Sequence, residues 1–374
     1  MTYSEENKVD GIVLVTEDAQ EYLNPRQEVT YREHRRDLAE WMLALGKNPD
    51  KATGYSHSTV KNRMNRLDLF YRFVWGRKGR YVQELTTDDA DDWIRHLATE
   101  EMKESTKNHY QKAAKTLFKW KREARGKDVE WSPEIEYSDP STTYTPRDYL
   151  TKADRRKMRE AAMEYGSVPH YNSVTPEERD RWRTYLSQRL QKPKEDVCKK
   201  DWNKANSFKY TSMIHVALDA GLRPIEIKRS NVSWVDTQNA VLRIPREESS
   251  KNRENWIVAL KEETSQILKR WLDERETREK YDGRDALWLT MYGNRYNKDS
   301  FRDVFRKIAS EAGLDLENRD LTPYSIRHST ATYVAEQEGL AVAAAQCRHK
   351  SKRTTEKYEH SSTARQQDAV NNID

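Results

Sequence analysis

Between Val29 and Arg125 apolar side chains return every three or four residues in four successive segments, and that period predicts helices for the first part of the chain. TYREHRRDLAEWMLALG carries Leu38, Trp41, Met42 and Leu45 on one stripe, and SHSTVKNRMNRLDLFYRFVWG carries Val60, Met64, Leu67, Phe70, Tyr71 and Val74. TTDDADDWIRHLATEE opens with acids, which suit the positive end of a helix dipole, and ESTKNHYQKAAKTLFKWKREARGK completes the set. Four stripes of this kind make a small all-helical bundle. The last of them also has a basic face: Lys107, Lys112, Lys115, Lys119, Lys121 and Arg122 are opposed in that segment only by Glu104 and Glu123, while Tyr110, Ala114, Leu117 and Phe118 point to the bundle. Such a strip fits the phosphates of DNA, and a merely solvated surface fits it equally well.

Residues 1–24 read as an N-terminal tail and 25–127 as the bundle. Residues 128–147, with three prolines, few aliphatics and no steady period, read as a linker to a second domain over 148–374. That domain opens with the helical YLTKADRRKMREAAMEYG and continues into a highly charged helical excursion between Ser167 and Lys204. SFKYTSMIHVALDAG is a helix stopped by Gly221. AVLRIPRE and ENWIVAL are short β-prone runs joined by the turn ESSKNR. Helices are then expected at KEETSQILKRWLDERE, KDSFRDVFRKIASEAG, SIRHSTATYVAEQEG and LAVAAAQCRHK. The fold class is therefore mainly α with a small β-sheet: a helical N-terminal bundle and an α+β second domain.

Composition narrows the setting. Of 374 residues 35% are hydrophobic and 34% charged, so the domains should be small and heavily solvated, and the net charge of +5 says less than its distribution. Cys198 and Cys347 lie far apart and outside any metal-ligand spacing, which favours a reducing interior without a disulfide framework or zinc site. The start MTYSEENKVDG has no basic and apolar tract, and no apolar run approaches a membrane span. These features predict a soluble protein of the cytoplasm with no membrane partner.

The stretch TPYSIRHSTATY, residues 322–333, places Arg327 and His328 in a run otherwise suited to burial, with no carboxylate between Leu321 and Ala335. A buried guanidinium cannot shed its charge and needs an anion. Around this stretch the residues resemble a known family. ALDAGLRPIEI is similar to the first arginine box of the tyrosine recombinases, or phage-type integrases, with Arg223 as its arginine and Glu226 one turn on as its brace. TPYSIRHSTATY resembles the second box, with Arg327 as its arginine and His328 as a supporting, structural histidine. CRHKSKRTTEKYEH resembles the third, with His349 followed nine residues later by Tyr358, and ESSKNR resembles the hairpin turn of the family's catalytic lysine, here Lys251.

Two positions depart from the pattern. Tyr324 stands where the family has a histidine, three before Arg327, and Arg348 replaces the glycine before the third-box histidine. Tyrosine can still donate a hydrogen bond, but with a usual pKa of about 10 it is a poor base at neutral pH. Tyr324 itself is expected in a packed helix.

The resemblance implies a core-binding N-terminal domain, a catalytic second domain, and a reaction whose parts match these residue types. Tyr358 attacks a phosphodiester to leave a 3′-phosphotyrosine, Lys251 protonates the departing 5′ oxygen, and Arg223 and Arg327 hold the nonbridging oxygens with forks that never deprotonate. His349 donates to the phosphate or assists proton transfer. The covalent bond stores the energy for rejoining, so no cofactor is expected; neither a GxxxxGK[ST] loop nor a convincing carboxylate cluster for magnesium is present. The implied partner is double-stranded DNA with a specific attachment site, bound by four protomers on two sites. The biological setting (viral integration, excision or chromosome-dimer resolution) stays open. So do two other readings, a type IB topoisomerase-like activity that shares the nucleophilic chemistry and a non-catalytic DNA-binding accessory protein with a degenerate site.

Overall fold

The computed structural model describes residues 4–138, 148–166, 168–249 and 254–349. The chain divides into two compact units, Met1–Tyr144 and Thr145–Asp374.

In the first unit a two-stranded hairpin, β1 (Lys8–Val9) and β2 (Ile12–Val13), leads through the single helical turn α1 (Glu17–Gln20) into four long helices. These are α2 (Pro25–Ala44), α3 (His57–Lys78), α4 (Thr87–Thr99) and α5 (Glu104–Arg125). Each boundary has a local cause. Asn24 caps α2 in a capping box with Gln27, and Pro25 starts the helix. Thr86 and Asp89 do the same for α4, while α3 and α5 stop at Gly79 and Gly126, both left-handed. The stripe residues Leu38, Met42, Val60, Met64, Leu67, Phe70, Tyr71 and Leu117 are buried together in one core.

Two stretches differ from the sequence-based expectation. Residues 8–20, read as part of a tail, belong to this core: Ile12, Leu14, Val15 and Ala19 are fully buried. Their hairpin turns on Asp10 and Gly11, both at positive φ, the pair of conformations that a two-residue type I′ turn demands and that Asp-Gly supplies. Asn7 then bonds the backbone of Val15 through both ends of its amide, and the buried Arg35 donates to the carbonyls of Leu14 and Met64. The first part of the expected linker is also packed. The Trp131 ring lies 5.5 Å from Phe118 and its indole N–H reaches Asp91, while the Tyr137 hydroxyl bonds the Ile94 carbonyl.

The second unit is organised around α9 (Phe208–Ala220), which is buried on nearly every side because α6 (Lys152–Glu164), α11 (Glu262–Arg275) and α13 (Pro323–Cys347) pack around it. The sequence SMIHVALDA reads accordingly as apolar and small all round. Between α6 and α9 the excursion forms α7 (Pro176–Leu190) and α8 (Lys199–Lys204) over a small core of its own, in which the Trp182 and Trp202 rings lie 5.8 Å apart. After α9 come the short α10 (Pro224–Arg229) and an antiparallel sheet in the order β3 (Val235–Asp236), β4 (Val241–Ile244), β5 (Trp256–Ala259). β4 and β5 are the expected hairpin, paired from Val241 opposite Ala259 to Ile244 opposite Trp256; β3 is an additional edge strand. α12 (Lys298–Glu311) precedes α13, whose regular path breaks at Gly339 (φ 84°), where the sequence already separates two helical segments. No described helix is long and apolar enough to cross a membrane.

The buried His215 of α9 offers a thermodynamic handle. Arg159 donates to its Nδ1 at 3.0 Å, which fixes the proton of the neutral ring on Nε2, and burial together with the Arg159 charge lowers its pKa from 6.5 to about 4. The unfolded chain therefore binds a proton that the folded one refuses between about pH 6.5 and 4, and stability falls as the solution is acidified through that window. Urea unfolding at pH 7, 6 and 5 should show the decline, with His215→Gln removing up to ~1.4 kcal/mol per pH unit of slope. A slope unchanged by the substitution would show that the folded ring takes up its second proton over the same pH range as the unfolded one.

Candidate active site

The last turn of α9 ends inside the protein, so its carbonyl oxygens need donors from elsewhere in the fold. The Leu218 carbonyl accepts from Arg155 and Thr330, and the Asp219 carbonyl from Gln346. The Ala220 carbonyl accepts from Arg348 at 2.8 Å, and the Gly221 carbonyl from Arg327 at 2.7 Å and Arg348 at 3.2 Å. Gly221 is left-handed, and an added Cβ would stand 3.2 Å from the Cys347 sulfur and 3.4 Å from Thr330. The backbone therefore passes tightly beneath α13, and this close passage brings the expected site residues together.

Arg223 sits at the N-cap of α10, held extended by Pro224. Its backbone N–H and its Nη1 both donate to Glu226 at 2.8 Å, and its Nη2 donates to the Arg348 carbonyl at 3.1 Å. Arg327, in the second turn of α13, donates to the Gly221 and Cys347 carbonyls. The anion expected for it from sequence is thus replaced, within the protein, by the negative ends of two helices, α9 and α13. Burial, with the Arg223 and Arg348 charges, lowers the Arg327 guanidinium to about 10, and it stays charged at neutral pH.

Arg348, which in sequence is only a replaced glycine, is a third guanidinium of the cluster. It is 1% exposed and caps α13 in the left-handed region (φ 56°), which accounts for a glycine at this position in the family pattern. Its Nη2 donates to Glu226 Oε2 at 2.7 Å and its Nε to Oε1 at 3.3 Å. Burial alone would raise the pKa of the Glu226 carboxyl, but Arg348, Arg223 and Arg327 outweigh it and hold the group well below the usual carboxylate range. His349 follows immediately, buried, with its backbone N–H on the Ala344 carbonyl. Burial and the charges of Arg327, Arg223 and Arg348 lower its pKa to about 3, so the imidazole is neutral at pH 7.

The structure thus brings together Arg223, Glu226, Arg327 and His349, with His328 half-buried on the next position of α13. Tyr324, expected in a packed helix, is instead 41% exposed in the first turn of α13, on the face that i, i+3 spacing shares with Arg327. Lys251 and Tyr358 lie outside the described residues. No group of three or more His, Cys, Asp or Glu side chains among the described residues is placed to hold a metal ion.

The basic face of α5 is smaller than its sequence suggests. Lys121 is a correction: it is buried, its Nζ bonding the Leu85 carbonyl at 2.6 Å and Glu84 at 3.0 Å, because its stem crosses the bundle where the loop before α4 needs a donor. Lys107 donates to the Ala98 carbonyl and Lys119 to the Gly46 carbonyl. Lys112, Lys115 and Arg122 are exposed, with Lys115 3.2 Å from Glu136 and Arg122 3.1 Å from Glu123.

Residues 191–365 match the family model described as Phage integrase family, and residues 50–125 match Phage integrase, N-terminal SAM-like domain, together about two thirds of the chain. The chain belongs to the phage integrase family. Tyrosine recombinase XerC of Chlamydia muridarum is 29% identical over 162 residues, 43% of this chain and 49% of that protein. The chain spans about half the length of the XerC proteins that it matches. A protein of Methanocaldococcus jannaschii named a probable integrase/recombinase is 23% identical over 313 residues, 82% of each chain. Among solved structures, XerH site-specific recombinase bound to a palindromic difH substrate superposes with a TM-score of 0.54 at 16% identity, covering 94% of this chain and 92% of that one. That likeness is one of fold.

The ion cluster is a structural unit, so cutting it should cost stability. Removing one partner from a buried pair leaves the other charges uncompensated, at about 3–5 kcal/mol. Glu226→Ala should lower the unfolding free energy of the protein by that order, read from its denaturant midpoint; a loss under ~1 kcal/mol would mean that the guanidiniums relax to water.

Proposed function

We propose that the protein is a site-specific DNA recombinase, or integrase, that cleaves and rejoins strands through a 3′-phosphotyrosyl intermediate. The observation that carries this reading is the convergence of Arg223, Arg327 and a neutral His349 at the buried ends of α9 and α13, in a chain of this family. Arg223 and Arg327 bind the nonbridging oxygens of the scissile phosphate, and their preorganised positions lower the barrier because the charge they meet develops in the transition state. Tyr358 forms the phosphorus–oxygen bond as the bond to the 5′ oxygen breaks, and Lys251 gives that oxygen its proton. A neutral His349 has one N–H for a nonbridging oxygen and one lone pair for a proton in transit. Tyr324, exposed beside Arg327, contributes a hydrogen bond rather than a base. No metal enters these steps.

In this reading the first unit is the core-binding domain, with Lys112, Lys115 and Arg122 on DNA phosphates, and the second is the catalytic domain. The partner is a duplex with a specific attachment site, engaged by four protomers on two sites in the cytoplasm, and viral genome integration is one process it would serve. On nicked suicide duplexes carrying interrupted palindromes selected for binding by this protein, the parent should accumulate a covalent protein–DNA adduct, and Tyr358→Phe should bind the duplex yet form none. An adduct that survives this substitution overturns the assignment of the nucleophile; a parent that forms none on any such duplex overturns the activity.

The bundle makes a separate expectation. Changing Lys112, Lys115 and Arg122 together to Gln should reduce the slope of log affinity against log salt by up to about three phosphate contacts' worth. An unchanged slope returns that face to ordinary solvated surface.

A further inference from the structure

Lys251 lies two residues beyond Ser249 in the chain, and the segment that leads to it is fastened to α10 by contacts that no step above uses. The geometry points to Glu248, with Arg229, Asn231 and Trp234 around it, as a positioning residue that fastens the chain leading to Lys251 onto α10, the helix that Arg223 caps; this rests on the activity proposed above.

After β4 the chain turns at Pro245, whose carbonyl accepts the N–H of Glu248 at 3.1 Å and of Ser249 at 2.9 Å. Across the hairpin the Arg246 N–H bonds Asn255 Oδ1 at 2.8 Å, so the stem stays closed beyond the last β pair. Glu248 then reaches away from the sheet. One of its carboxylate oxygens accepts from Asn231 Nδ2 at 2.9 Å and from the indole N–H of Trp234, a fully buried side chain. Arg229 donates to the carbonyls of Ser249 at 2.9 Å and Glu248 at 3.3 Å. Asn231 is fixed in turn by Arg295, which bonds Asn231 Oδ1 at 2.6 Å and the Lys228 and Ser230 carbonyls at 3.0 and 3.2 Å.

These anchors converge on one short element. α10 runs only from Pro224 to Arg229, with Arg223 at its N-cap, Glu226 in its first turn and Arg229 as its last residue. Over about 9 Å of helix it therefore holds a phosphate-binding arginine at one end and the approach to the proton donor at the other. A carboxylate accepting two side-chain N–H groups, one of them from a buried indole, is a directional fastening that surface solvation does not require. Misplacing a proton donor by about 1 Å can cost on the order of 100-fold in rate, so a rigid link between the two groups has a kinetic use.

The role separates from plain structural support through the leaving group. A 5′-bridging sulfur leaves as a thiolate and needs no proton, whereas a 5′ oxygen does. In single-turnover cleavage Glu248→Ala should slow the ordinary duplex about 10- to 100-fold and leave the 5′-bridging phosphorothiolate duplex near the parent rate. Glu248→Gln, which keeps an oxygen for both donors, should restore most of the oxygen-substrate rate. Asn231→Ala, at a partly buried position, removes one of the two donors to Glu248; it should show a smaller loss confined to the oxygen substrate, and it carries the test if Glu248→Ala does not fold. Equal slowing of both substrates, or of neither, overturns the positioning role. A parent that cleaves neither substrate overturns the activity itself and this role with it, a result distinct from a parent that cleaves both and variants that match it.

Discussion

The buried C-terminus of α9 is the constraint from which the site follows. A helix that ends in water leaves its last carbonyls to solvent, but this one ends beneath α13, and an unbonded carbonyl there would cost on the order of 1–3 kcal/mol. Side chains of α6 and α13 and of the residue that caps α13 supply the donors: Arg155, Thr330 and Gln346 for the earlier carbonyls, Arg348 and Arg327 for the last two. Cations suit that place because the helix end is also its negative pole. The arginines are consequently caps, and in the proposed reaction the phosphate-binding groups as well, and Glu226 sets their spacing by binding Arg223 and Arg348 at once. Their position does not wait for a ligand, which is what preorganisation means in physical terms.

Much of this was legible in the sequence where a pattern carries a physical cause. The four helices of the bundle follow from period and caps, Gly221 and Gly339 mark real breaks, and the two β-prone runs pair as a hairpin. Less legible was whatever depends on long-range packing. The Asp10-Gly11 turn is a hairpin signal, yet strands of two residues are too short to show alternation, so their burial under α2 and α3 has no local signature. Lys121 lies within the same basic segment as Lys112 and Lys115, but its position on the helix points to the interior, and the Leu85 carbonyl with the Glu84 carboxylate explains why an ammonium goes there. Arg348 is similar: one residue from His349, it reads as a departure from a glycine, and its partnership with Glu226 crosses more than a hundred residues of chain.

The excursion of α7 and α8 shows how an insertion is carried without disturbing that site. It has its own small core, and its tie to the rest of the unit is polar and buried: Glu274 accepts from Ser207, the Phe208 N–H and Arg278, while the Arg278 guanidinium lies 5.1 Å over the Trp182 ring. These contacts fix the start of α9, whereas the arginine cluster fixes its end. One helix therefore carries two termini held by separate sets of partners, and length added before its first residue need not alter the geometry beyond its last.

That arrangement also bears on what a ligand has to do. Arg327 spends two donors on carbonyls, and Arg223 spends its own on Glu226 and the Arg348 carbonyl, so an approaching phosphate meets guanidiniums already oriented by the fold. Arginine tolerates this because its five N–H groups can serve protein and ligand together, which a lysine's compact ammonium cannot do in one plane. The neutral state of His349 has a related origin: burial and then three neighbouring positive charges suppress its protonation, leaving it able both to give and to take a hydrogen bond. The protein holds fixed charge where a phosphate would need it and a neutral ring where a proton would have to move.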